Sequence, residues 1–109
     1  MNRYVLTCNN YTLDDVKRLN DCGADFLIFG METSQTGVPH LQCYMETLKN
    51  WPYLRKKLPR FWMDKAKGTR EQNVKYCQKS GKFYGFQGAN RSLAAVSHVT
   101  KENALEVLP

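Results

Sequence analysis

The chain has 109 residues, a length that suits one domain around one core. Hydrophobic residues make up 42% of it, yet no apolar run approaches the roughly 18 residues a membrane helix needs. The formal charge is +6, and the N-terminus (MNRYVLTCNN) lacks the long apolar stretch of a signal peptide, so the reading is a soluble chain made in a reducing compartment.

Residues 4–7 are apolar and β-branched enough for a first strand, and Asn9-Asn10 marks its end. Thr12 is placed to cap a helix running to about residue 21, with Leu13, Val16 and Leu19 expected on its inner side, and Gly23 is expected to stop it. The run DFLIFGMET (25–33) reads as a strand buried on both faces. Residues 34–39 form a loop punctuated by Gly37 and Pro39, and HLQCYMETL (40–48) returns as the second arm of a hairpin. Pro52 suits the first turn of a short helix over 51–58. FWMDKAK (61–67) predicts a further strand. Thr69 and Gln72 form a capping box for a helix reaching about residue 80, where Gly81 stops it, and 83–86 predicts a last strand. The order β–α–β–β–α–β–α–β predicts an α+β fold with one antiparallel sheet of about five strands and flanking helices. The domain is expected to span 1–90. Residues 91–109 read as a tail or the start of a linker, small and polar with a weakly helical end, and His98 reads as a tail residue.

Four cysteines (Cys8, Cys22, Cys43 and Cys77) stand at wide, irregular spacings with no CxxC pair. That argues against a zinc knuckle and, in a reducing compartment, against a disulfide framework, so they are expected as free thiols.

The positive charge is concentrated. Residues 54–70 hold Arg55, Lys56, Lys57, Arg60, Lys65, Lys67 and Arg70, with Trp51, Tyr53, Phe61 and Trp62 interleaved or adjacent. Cations of this kind hold phosphates while bases stack on rings; the bland reading is a solvated basic face over a core that owns the aromatics. The run RKKLPR (55–60) has the composition of a nuclear signal, though a solvated helix face explains it as well.

Side chains alternate faces along a strand, so His40, Gln42, Tyr44 and Glu46 share one face of the 40–48 strand. Glu32 closes the preceding strand, and a hairpin brings it near His40 if the register permits. Glu32, His40 and Gln42 then offer a carboxylate oxygen, an imidazole nitrogen and an amide oxygen. This set suits Mg²⁺ or Mn²⁺ and is a poor zinc site. Glu46 stands about 13 Å further along, too far to join. The competing reading is a partly exposed histidine on an ordinary hairpin. In KYCQKS, Tyr76 and Lys79 are three apart and share a helix face. A tyrosine there is more often packing than chemistry, but one aimed at a phosphate can act as a nucleophile, with Lys79 as its cationic helper.

These pieces together resemble the replication-initiator (Rep) endonuclease domain of circular single-stranded DNA viruses, a branch of the HUH endonucleases, and most of all circovirus-like Reps. LTCNN (6–10) resembles the family's first motif, often FTLNN; PHLQ (39–42), preceded by the G-x-E of Gly30 to Glu32, resembles the second; Tyr76 to Lys79 matches the third, Y-x-x-K; and DKAKGTREQNVKYCQKSG (64–81) is similar to circovirus-type sequences. The resemblance covers roughly 3–88. It implies Glu32, His40 and Gln42 as ligands of Mn²⁺ or Mg²⁺, with Gln42 in place of the second histidine of the HUH name. It implies Tyr76 as the nucleophile that cuts one DNA strand and Lys79 as its helper. Asn9 and Asn10 of the first motif are expected to contact the origin strand, although Cys8 stands where leucine is usual. Lys65, Lys67 and Arg70 are expected to hold DNA.

What the resemblance implies is nicking of a viral origin stem-loop through a covalent 5′-phosphotyrosine, then rejoining, to start and end rolling-circle replication in the host nucleus. Full-length relatives carry a helicase domain through which they oligomerise. No GxxxxGK[ST] loop occurs here, so a nuclease domain alone is expected, monomeric by itself. The alternative is a non-catalytic RRM-like module that binds single-stranded nucleic acid, but no RNP1-like run is present and Glu32, His40 and Tyr76 would be left without a role.

Overall fold

Alternation along the strands decides which residues face the core. In β1 (Asn2–Asn9), Tyr4, Leu6 and Cys8 are buried while Arg3, Val5 and Thr7 on the other face are half-buried. β2 (Phe26–Thr33) is buried on both faces from Phe26 to Gly30, and β3 (Pro39–Thr47) from Cys43 onward. A computed structural model describes residues 1–88; the boundary expected at 90, the tail 91–109 and His98 lie outside the described residues.

The element order is the expected one, and the five strands form one antiparallel sheet in the order β4-β1-β3-β2-β5, with β4 at Trp62–Lys65 and β5 at Phe83–Gln87. One face carries the main core, where Leu6, Leu27, Phe29, Leu41 and Met45 pack against Val16 and Leu19 of α1 (Leu13–Asn20) and Leu54 of α2 (Trp51–Lys57). The other face has a smaller core of Phe26, Ile28, Tyr44 and Phe83, on which α3 (Arg70–Cys77) rests through Val74 and Cys77. Both faces of the central strands are therefore covered, which is why they read as near-continuous apolar runs.

Local chemistry sets the helix ends. Thr12 and Asp15 form a capping box: the Asp15 N–H donates to Thr12 Oγ1 (3.3 Å) and the Thr12 N–H to Asp15 Oδ2 (2.8 Å). The inner stripe of α1 differs from the expected one, because Leu13 is exposed and Asp15, Val16 and Leu19 are buried. Residues three apart drift by about 60° around a helix, so Leu13 falls about 120° from Leu19, whereas Asp15 lies within about 40° of it. α2 is capped by Asn50, whose side chain accepts the Tyr53 N–H at 3.0 Å.

The expected box at α3 is present, with Gln72 donating its N–H to Thr69 Oγ1 (3.0 Å) and accepting the Thr69 N–H (2.8 Å). That helix ends at Cys77 rather than near 80, since the bonds that follow are tighter three-residue ones, Lys79 N–H to the Tyr76 carbonyl (3.3 Å) and Gly81 N–H to the Gln78 carbonyl (2.9 Å). β4 is shorter than the 61–67 expected. Gly68, at φ +76°, turns the chain out of the sheet toward α3. None of the four cysteines is in a disulfide and all are buried, as expected.

Candidate active site

β2 and β3 pair with Glu32 opposite His40 and Gly30 opposite Gln42. Positions two apart share a face, so Glu32, His40 and Gln42 stand together on the side of the sheet away from the main core. His40 Nε2 lies 3.0 Å from Glu32 Oε1. The other carboxylate oxygen, Oε2, accepts from Lys79 Nζ, and the same ammonium sits 3.7 Å from the centroid of the Tyr76 ring. One carboxylate thus gathers an imidazole from β3 and an ammonium from the turn after α3, and that ammonium also touches the tyrosine. The Glu32 side chain is only 9% exposed, whereas Tyr76 is 54% exposed, so the phenol is presented to solvent above a sheltered carboxylate.

Gly30 makes this approach possible. A Cβ built on it would lie 2.1 Å from the Cys77 carbonyl oxygen, closer than real atoms come. The absence of a side chain at 30 lets the last turn of α3 sit on the sheet beside Glu32 and Gln42.

The donor set fits a hard divalent cation. Among the described residues no three of histidine, cysteine, aspartate and glutamate converge, so a third protein ligand beside Glu32 and His40 would be a neutral oxygen. Gln42 supplies one on the adjacent rung of the same face. A cation engaging both Glu32 oxygens has to displace Lys79 from Oε2.

The first motif abuts the same corner. Asn9 pairs with His40, and the Asn10 N–H donates to the Pro39 carbonyl at 2.7 Å. Asn10 adopts φ +53°, a left-handed conformation that asparagine tolerates better than most residues. Arg60 secures the turn: its Nη2 donates to the carbonyls of Asn9 (3.1 Å) and Asn10 (2.7 Å), and its Nε to both oxygens of Asp15 (3.1 and 3.0 Å). Burial pushes the Asp15 carboxyl up, but the Thr12 N–H and the Arg60 guanidinium outweigh it and hold the group below the usual carboxylate range. Cys8 lies beside this pair, and burial with the Asp15 charge pushes its thiol up to about 11. The sequence reading missed the Arg60–Asp15 pair; the available signal was an acid three residues after Thr12, the capping-box position.

The residues expected to hold DNA are not gathered in one place. Asn9 and Asn10 are exposed at the His40 end of the sheet. Lys65 is exposed and pairs with Tyr4, so its strand position lies on the main-core face of the sheet rather than on the Glu32 face. Lys67 is exposed in the loop before α3, and its carbonyl accepts from Asn73 Nδ2 (2.8 Å). Arg70, the first residue of α3, is bound to Glu46 through Nε (2.8 Å) and Nη2 (2.5 Å). Trp62 pairs with Thr7, which pairs in turn with Gln42; it stands on the site's face and is 59% exposed.

Residues 1–80 match the family described as "Putative viral replication protein". The chain is 37% identical over 84 residues to a replication-associated protein of beak and feather disease virus, which covers 72% of this chain and 29% of the relative. It is 37% identical over 84 residues to that of pigeon circovirus (72% and 26%). It is 35% identical over 97 residues to that of porcine circovirus 2 (83% and 31%). The chain thus spans less than a third of the length of these relatives. The matched region contains every residue of the site just described, and the chain belongs to this viral replication protein family as a circovirus-like Rep domain.

Proposed function

We propose that this domain nicks and rejoins single-stranded DNA at a viral replication origin, through a covalent bond between Tyr76 and the 5′ phosphate of the cut strand. The observation that carries the reading is the position of Lys79, which contacts both the Glu32 carboxylate and the Tyr76 ring. Residues from two motifs more than 40 positions apart therefore meet at one point, which supports this reading.

Glu32, His40 and Gln42 would hold Mn²⁺ or Mg²⁺, which when bound supplies Lewis-acid stabilisation of the scissile phosphate. Tyr76 attacks phosphorus in line. The bond from phosphorus to the 3′ oxygen breaks, that oxygen takes up a proton and leaves as a 3′-hydroxyl, and the phenol proton is lost. One phosphodiester replaces another, so the 3′-hydroxyl can attack the adduct later and reseal the strand. Lys79 stabilises negative charge on the phenolate or the phosphate, being a flexible point charge beside the Tyr76 ring. Unpaired bases and their phosphates reach this face only as a single strand, and the exposed Trp62 ring offers one of them a stacking surface. On this reading the protein acts in the host nucleus.

The test is a denaturing gel of the protein with single-stranded oligonucleotides bearing circovirus-type origin loops, in Mn²⁺ and in EDTA. The expected result is a metal-dependent shifted band that survives SDS and is absent from Tyr76→Phe, with Tyr76→Phe still binding the oligonucleotide. An adduct of undiminished yield from Tyr76→Phe removes Tyr76 from the mechanism. Binding without any adduct, unaffected by EDTA, would leave a non-catalytic nucleic-acid-binding module.

A further inference from the structure

α3 carries the nucleophile of the proposed reaction but has little apolar grip on the sheet. Of its eight residues only Cys77 is buried, with Val74 packed beside it. Those two fix the C-terminal half of the helix. The N-terminal half is held by polar contacts instead. Glu46, 7% exposed, lies at the far end of the same sheet face, where Tyr44 Oη donates to its Oε2 at 2.6 Å and Arg70 donates to both its oxygens. Arg3 Nε donates to Tyr44 Oη (3.0 Å), and Arg3 Nη2 to the Gly68 carbonyl (2.5 Å) in the turn that leads into α3. The Arg70 guanidinium also lies over the Phe26 ring, 4.5 Å from its centroid. β1, β2 and β3 therefore all hold the first turn of α3.

We propose that Arg3, Tyr44, Glu46 and Arg70 form a clamp that sets the angle of α3 on the sheet and so the position of Tyr76, with Arg70 a positioning residue rather than a phosphate ligand. A guanidinium engaged on Nε and Nη2 by one carboxylate, with its plane on an aromatic ring, has spent the edge that would grip a phosphate in the bidentate manner. A buried carboxylate with three donors is directional, which apolar packing is not, so it suits a helix whose tilt has to be reproducible. The inference rests on the nicking reading for its consequence, but the clamp itself is testable without it.

The experiment compares wild type, Arg70→Gln, Arg70→Lys and Glu46→Gln by three measurements. The rate of adduct formation at saturating oligonucleotide in Mn²⁺ should fall about 10- to 100-fold in Arg70→Gln, since a displacement of about 1 Å costs that much. Oligonucleotide affinity and its salt dependence should stay at the wild-type values. Amide exchange over 70–77 should quicken about tenfold or more, with the central strands unchanged, and Arg70→Lys, which keeps charge without the fork, should fall between. A loss of affinity with a salt slope shallower by about 0.7 makes Arg70 a phosphate ligand and overturns the proposal. Unchanged exchange in α3 overturns it as well. Should wild type form no adduct at all, the nicking reading fails and the clamp is still decided by the exchange over 70–77. If Arg70→Gln does not fold, Arg70→Lys and Glu46→Gln carry the same comparison.

Discussion

The carbonyl of Cys77 occupies the space where a side chain at Gly30 would begin, 2.1 Å from an ideal Cβ. The helix that carries Tyr76 and the strand bearing Glu32 are thus in backbone contact two residues from the carboxylate. Gly30→Ala forces the last turn of α3 off the sheet, because the clashing atom is backbone and cannot rotate away. The expected cost is about 1–3 kcal/mol of stability by urea denaturation, with adduct formation reduced more steeply than oligonucleotide binding. A variant of wild-type stability and full adduct yield would show that the turn is free to shift.

In the proposed reaction Lys79 and a divalent cation contend for Glu32. The ammonium donates to Glu32 Oε2, while its own side chain is 43% exposed, so the pair is a weak one. Lys79→Met is expected to bind Mn²⁺ more tightly, by up to about fivefold, the ceiling for a pair worth about 1 kcal/mol. Calorimetric titration with the metal alone reads this directly. The same variant should form adduct more slowly despite the tighter metal. Weaker metal binding in Lys79→Met would mean that the lysine supports the metal site rather than competing with it.

Trp62 is a large ring left 59% exposed on the face that carries Gln42. Among the described residues more than half of the ring is left uncovered, so Trp62→Ala should change stability by no more than about 0.5 kcal/mol. If a base stacks on it, oligonucleotide affinity falls by about 1–3 kcal/mol. Fluorescence quenching of the wild type on binding, set against anisotropy titrations of the variant, checks both statements. Equal affinities would move the strand's path away from β4.

Acid should loosen the clamp at Glu46. Arg70 hydrogen bonds hold that carboxyl below its usual 4.5 despite burial, with the Tyr44 hydroxyl helping. A depressed folded-state value stabilises the protein above the unfolded value, and the contribution is lost as pH falls below about 4.5 through the folded one. Asp15 adds the same dependence slightly lower, from its ordinary 3.8 downward. Stability should therefore drop as pH falls below about 4.5, and the Glu46→Gln curve should be flatter where that fall begins. An identical slope would show that Glu46 does not titrate on unfolding.

Much was legible before any coordinates. Period-two alternation and a short hairpin loop were enough to place Glu32, His40 and Gln42 on one face, because a strand has only two faces and a four-residue error in length does not change which residues share one. The cap at Thr12 and the capping box at Thr69 were readable for the same reason: the pattern is local, and the bonds it makes are to its own backbone. The element order and the five-stranded antiparallel sheet follow from such local signals. Leu13 shows where local reading ends. Its spacing to Val16 and Leu19 looks periodic, but the buried place went to Asp15, since Arg60, 45 residues on, neutralises it there.

Charged side chains were the ones that only the tertiary structure could assign. Arg70 reads from sequence as one more cation in a basic run; folded, it is bound to Glu46, which the strand pattern had merely set apart from the candidate metal ligands. Lys79 was grouped with Tyr76 by helical spacing, yet its second contact, to Glu32, spans 47 positions. Long flexible side chains carry no period of their own, so their partners are chosen by whichever opposite charge the fold brings within reach. The sequence determined the sheet, the faces and the candidate ligands; the packing of α3 over Gly30 decided that ligands, lysine and tyrosine meet, because that contact depends on a backbone approach that no spacing along the chain encodes.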